Sequence, residues 1–159
     1  MKTKFIGTFA LGNKVDITDP CYEKGVWCRM TTECRPGTYY GYVEIGNYKY
    51  GADDDFRVAS ISIYNEDERV DDDDMELIGN IGVDAGLAGF FNDKPDYPDD
   101  EWMEFLKAAK VFKEDGEFDY GRCYYKVEYG LFSESGFGDG GYNVYANKDR
   151  SAFQIVFID

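Results

Sequence analysis

Thr38-Tyr39-Tyr40-Gly41-Tyr42-Val43-Glu44-Ile45, residues 38–45, puts Tyr39, Gly41, Val43 and Ile45 on one side of an extended chain. That is the two-residue period of a strand with one covered face. The same period recurs outward in both directions. Ala59, Ile61 and Ile63 share a side of residues 56–64, and Phe153, Ile155 and Phe157 share a side of residues 151–158. Cys123, Tyr125, Val127, Tyr129 and Leu131 read as one face of a single long strand over 122–132, and Phe5 to Leu11 and Val15 to Ile17 read as shorter ones. Turn signals at Pro36-Gly37, Gly46-Asn47 and Gly136 to Gly141 separate them, the pattern of an antiparallel meander.

One segment has the helical period instead. Trp102, Phe105, Leu106, Ala109 and Phe112 fall on one face of residues 99–114, with Asp99 after Pro98 as a capping residue, Lys107, Lys110 and Lys113 toward the end, and Gly116 as terminator. The chain is therefore expected to be α+β, mostly antiparallel β sheet or sandwich with this amphipathic helix packed on it. Its 159 residues carry no linker-like composition and fit a single domain over 1–159.

Charge narrows the functional classes. The net charge is −15 and there is no histidine, which excludes imidazole-based triads and every zinc site with a histidine ligand. Residues 1–50 sum to +2, residues 51–119 to −16 and residues 120–159 to −1. The excess lies in Asp53-Asp54-Asp55, in Glu66 to Glu76 and in Asp93 to Glu101. Eight carboxylates share only Arg69 within Glu66 to Glu76. Their mutual repulsion predicts an exposed, mobile acidic loop at about 65–76. Tyr39, Tyr40, Tyr42, Tyr48 and Tyr50 could stack bases, but without a cationic cluster direct nucleic-acid binding is not expected. No apolar run spans a membrane and no signal-peptide core is present, so a cytoplasmic protein with Cys21, Cys28, Cys34 and Cys123 as free thiols is expected.

Three short segments could carry chemistry. Asp16-Ile17-Thr18-Asp19-Pro20-Cys21-Tyr22 reads as an Asx-type turn with a thiol beside it. Cys21 lacks the histidine that would activate it as a nucleophile. Within Ile81 to Phe91, Asp84 is a lone acid among glycines and apolar residues, either capping turn amides or buried with a raised pKa. Ser135 to Tyr142 has the glycine content of a phosphate loop, but it leads into a strand-like segment and contains Asp139 with no lysine or arginine, so a tight turn between strands is the better reading.

The motifs Asp19-Pro20-Cys21-Tyr22, Gly82-Val83-Asp84-Ala85-Gly86 and Gly138-Asp139-Gly140-Gly141-Tyr142, in that order, resemble a bacterial and phage family described as a domain of unknown function. The resemblance spans most of the chain except the acidic run, carries no activity, and implies that the three turns are neighbours.

Two functions from different classes follow. The first is a non-catalytic binding protein whose acidic middle, with Asp71, Asp72, Asp73 and Asp74 at its centre, engages a basic protein partner as an inhibitor or nucleic-acid mimic. The second is a small-ligand or divalent-cation protein or enzyme using Asp19, Asp84 and Asp139, with calcium or magnesium as the candidate ion.

Overall fold

The computed structural model describes residues 1–68, 74–111 and 123–159. The strands, in chain order, are β1 (Lys2–Leu11), β2 (Lys14–Thr18), β3 (Met30–Glu33), β4 (Gly37–Asn47), β5 (Phe56–Asn65), β6 (Glu76–Val83) and β7 (Leu87–Phe91). The helix α1 (Asp99–Ala108) follows, then β8 (Tyr124–Val127), β9 (Gly130–Glu134), β10 (Gly140–Ala146) and β11 (Ala152–Val156). They form two antiparallel sheets, one ordered β1-β4-β5-β11-β10-β6 and the other β3-β2-β7-β9-β8. The fold is the α+β sheet sandwich expected, though not a meander. Each sheet has two hairpins of consecutive strands; β7 and β9 become neighbours within one sheet through α1 and β8, and the other pairings follow chain crossings between the sheets.

The alternating strands supply one wall of the core. Val43, Ile61, Ile63, Phe153 and Ile155 from the six-stranded sheet meet Val15, Ile17, Phe90 and Leu131 from the five-stranded sheet, all essentially without solvent contact. Burying such side chains contributes roughly 1.5–3 kcal/mol each against chain entropy. The five-stranded sheet has a second covered face. Leu87, Phe91, Tyr125 and Phe132 pack there beneath Phe105, Leu106 and Ala109 of α1 and the following Val111. Rings tie the helix down: Phe105 stacks on Tyr97 at 4.6 Å and on Phe132 at 5.4 Å between centroids.

Several expectations are corrected. Residues 122–132 are not one strand, because β8 and β9 form a hairpin that turns at Glu128-Tyr129; Tyr125 pairs with Phe132, and Leu131 faces the opposite side from both. β7 had no visible period because both of its faces are covered, Ala88 and Phe90 by the other sheet, Leu87 and Phe91 by the helix side. The helix starts after Pro98, which is the N-cap, so Asp99 is the first helical residue and caps nothing with its side chain. It also ends earlier than 114. Lys110 takes φ +60, its N–H bonds the Lys107 carbonyl, and the Val111 N–H bonds the Leu106 carbonyl. This is a Schellman closure with lysine in the glycine position, sealed by Val111 against the buried helix face. Phe112, Lys113 and Gly116 lie outside the described residues.

The acidic segments do not form one face. Asp53 to Asp55 immediately precede β5 and Glu66 to Glu68 immediately follow it. Ten extended residues separate the two groups by roughly 30 Å, at opposite ends of the six-stranded sheet. Asp71, Asp72 and Asp73 lie outside the described residues, and Asp74 is exposed just before β6.

Candidate functional site

β2 ends at Thr18, and the next residue is fully buried. The Asp19 carboxylate accepts three backbone bonds: Oδ1 from the Cys21 N–H at 3.0 Å, and Oδ2 from the N–H groups of Asp84 at 2.9 Å and Ala85 at 2.6 Å. The first bond is the Asx turn that the sequence predicts. The other two fasten the β6–β7 turn to the end of β2. In that turn it is the Asp84 amide that is capped, not its carboxylate that caps. Gly86 closes it at φ +74, which L side chains rarely adopt. Burial pushes the Asp19 carboxyl above the usual range, against the pull of its three N–H donors.

The third motif joins the same end of the molecule. β10 pairs with β6 through Gly140 with Val83 and Gly141 with Gly82, and the Ser135 N–H bonds the Gly86 carbonyl at 3.1 Å. The loop from Ser135 to Gly138 is tied by the Ser135 hydroxyl to the Gly138 carbonyl at 2.7 Å, and by the Tyr142 hydroxyl to the same carbonyl at 2.6 Å. It is a connection from one sheet to the other rather than a tight turn within a hairpin, because β9 and β10 belong to different sheets. The three turns are thus adjacent, but their carboxylates are not equivalent. Asp19 is buried with its oxygens engaged, while Asp84 and Asp139 are exposed. Among the described residues no group of three or more Cys, Asp or Glu is placed to hold a metal ion.

A cavity of about 440 Å³ opens beside these turns. Ala85, Gly86 and Leu87 form one side, Trp102, Leu106 and Val111 the helix side, and Ser135 to Gly138 the far rim, with Tyr125 and Glu134 on the outer face of the five-stranded sheet. The exposed Phe137 stands at the rim. Among the described residues, two charged side chains line it. Arg57 is committed: its Nε bonds both Asp55 oxygens at 3.1 and 3.2 Å, its Nη1 bonds the Gly136 carbonyl at 3.1 Å, and its guanidinium covers the Phe137 ring at 4.8 Å. Glu134 is not: it lies half-buried between its β7 partner Leu87 and Cys123, and no described residue donates a hydrogen bond to its carboxylate. Burial raises its pKa, partly offset by the Arg57 charge.

A second charged cluster lies behind the Asx turn. Arg29 and Asp16, both nearly sealed from solvent, meet at 3.0 Å. Asp16 also accepts from the Thr31 hydroxyl at 2.7 Å and the Lys94 N–H at 2.9 Å, and Arg29 bonds the Tyr22 carbonyl at 3.0 Å. The Lys94 ammonium is buried against the Pro95 carbonyl at 2.7 Å and over the Tyr97 ring at 4.7 Å. Burial and the neighbouring Arg29 lower its pKa to about 8. The Cys21 thiol is pushed up to about 12 by burial and by Asp19, so it is not an activated nucleophile; all four cysteines are free. Two further clefts have charged side chains in their lining, one of about 470 Å³ with Asp16, Lys24 and Asp93 and one of about 420 Å³, mainly polar, with Glu68, Asp74, Glu76 and Asp149.

Trp102 belongs to the apolar stripe of the helix, and that stripe also forms the cavity wall. Glu134, Arg57 and Lys94 carry no local signal in the sequence, since Glu134 and Arg57 come to line one cavity with Trp102 only through strand pairing and helix docking. Comparison with protein-family models, curated proteins and solved structures gives no match for this chain.

Proposed function

We propose that the protein is a non-catalytic, cytoplasmic small-molecule-binding protein, and that its ligand occupies the cavity between α1 and the glycine turns. The observation that carries this reading is the cavity itself: about 440 Å³, within the usual range of roughly 300–1,000 Å³ for small-molecule sites, with mainly apolar and aromatic walls and few polar groups. Its walls are braced. Asp19 fixes the turn on one side, the Ser135–Tyr142 bonds fix the loop opposite, and the ring stack fixes the helix. A pre-shaped site loses less entropy on binding. Asp19, expected as a ligand-contacting group, acts here as the positioning residue of a turn, and Asp84 and Asp139 stand beside the lining residues Ala85 and Gly138.

A thermal-shift screen of aromatic fragments, repeated on Trp102→Ala, tests the reading. Fragments that stabilise the native chain should lose about ten-fold or more in affinity in the variant, the scale of a lost ring contact in a small site. Binders indifferent to Trp102, or none, would contradict it.

A second reading rests on the polar cleft at the opposite end, whose described lining carries Glu68, Asp74, Glu76 and Asp149 against a single lysine, Lys148. That electronegative end suits a basic protein partner, the inhibitor or nucleic-acid-mimic role. Such an association weakens steeply with salt and is lost in Asp74→Lys/Glu76→Lys. A salt-independent complex would count against it.

A further inference from the structure

We propose that the ligand of the helix-side cavity is an organic cation, a protonated amine or quaternary ammonium on a flat apolar body, and that Glu134 is its counter-ion. The inference rests on the small-molecule reading above and adds the chemical class. Of the two charged groups among the described lining residues, Arg57 is paired with Asp55 and anchored to the Gly136 carbonyl, so its donors are largely taken before an anion arrives. Glu134 is the reverse case, a half-buried carboxylate that receives no hydrogen bond from any described residue. A half-buried carboxylate is only partly hydrated and its charge only partly offset by Arg57, so an added cation gains more there than at the open surface. The wall beside it is aromatic, with Trp102 and Tyr125 both lining the cavity. Ring faces attract ammonium groups, most strongly when water is excluded. The rim carries the same sign: Asp84 and Asp139, both exposed, adjoin the lining residues Ala85 and Gly138 and bias the approach toward cations. Among the described residues, no lysine lines the cavity.

A phosphate or carboxylate ligand is the less favoured alternative. Arg57 is committed to Asp55 and to the Gly136 carbonyl, and the amides of Asp84, Ala85, Ser135 and Gly138 are already bonded, which leaves an anion only the loop amides of Gly136 and Phe137 and no free cation among the described lining residues.

Three probes of matched shape separate the possibilities: 2-phenylethylammonium, neutral 3-phenylpropionamide and anionic 3-phenylpropionate, titrated calorimetrically at neutral pH and low salt into the native chain and Glu134→Gln. The proposal predicts that the ammonium binds tightest, that the carboxylate binds weakest, and that Glu134→Gln weakens the ammonium about ten-fold or more while leaving the amide within two-fold, the scale of one charge-assisted bond. The series in the native chain gives the ranking even should the variant fold poorly. If the amide or carboxylate binds as well as the ammonium, or if Glu134→Gln retains full affinity for it, the cation assignment is wrong and the cavity remains a binding site. If no probe binds, and a wider aromatic fragment set also fails to depend on Trp102, the site reading falls with it.

Discussion

Asp19 holds more backbone than its size suggests, because three N–H groups from two segments have their acceptors on one buried carboxylate. Asp19→Ala strands those donors and is expected to cost about 3 kcal/mol in denaturant unfolding, the sum of several unmet bonds after partial relaxation. Asp19→Asn, which keeps one oxygen acceptor, is expected to lose about half as much. Equal and negligible losses would mean that the turn is held by other contacts. Lys94 gives a pH signature. Its folded-state pKa of about 8 lies below the ordinary 10.5, so above pH 8 the unfolded chain binds more protons than the folded one. Stability therefore rises with pH from about 8 to about 10.5 through this group. Measured as a difference between the native chain and Lys94→Met, the native chain gains over that window; a flat difference would show that the ammonium is solvated. The Asx turn was legible, since Asp-Pro with a free following amide writes its own geometry. The Asp84 and Lys94 environments were not, because their partners lie 65 and 78 residues away.

At the scale of elements, α1 closes through Lys110 in the left-handed region at φ +60. Lys110→Gly is expected to stabilise the protein by about 1 kcal/mol, the strain an L side chain carries there less the extra entropy of glycine. No gain, or a loss, would mean that the lysine side chain makes a compensating contact. The strands that show their period do so in two ways: β4 and β11 bury one face and leave the other partly open, and β5, buried on both, still alternates isoleucine with Ser60 and Ser62. β7 escaped because the sheet sandwich and the helix cover it from both sides, which erases alternation. β8 and β9 merged into one reading because the two-residue turn at Glu128-Tyr129 lacks glycine and asparagine.

For the whole molecule the net charge is −15, and among the described residues acidic groups gather at the two ends of β5 and in the first turn of α1. Among the described residues, Arg29–Asp16 is the ion pair with both partners nearly sealed from solvent. Self-repulsion should then outweigh surface pairing, and the melting temperature should rise as salt goes from about 10 mM to about 300 mM, where the screening length shortens from roughly 30 Å to under 10 Å. A fall would show that surface pairs dominate. The sequence displayed the amount of acid but not its placement, since a ten-residue strand carries two neighbouring clusters to opposite poles. The same long-range assembly makes the cavity, which needs the ends of β6, β7 and β9 and one face of α1 together.

The chain has two tryptophans, Trp102 in the cavity wall and Trp27 almost fully exposed elsewhere. Titration of 2-phenylethylammonium into nitrogen-labelled protein, following the two indole N–H signals, reads both positions at once. The Trp102 signal should shift saturably together with the amides of Ala85, Gly86 and Glu134 while the Trp27 signal stays fixed. Shifts centred on Trp27, or none at either indole, would contradict a ligand site between the helix and the glycine turns.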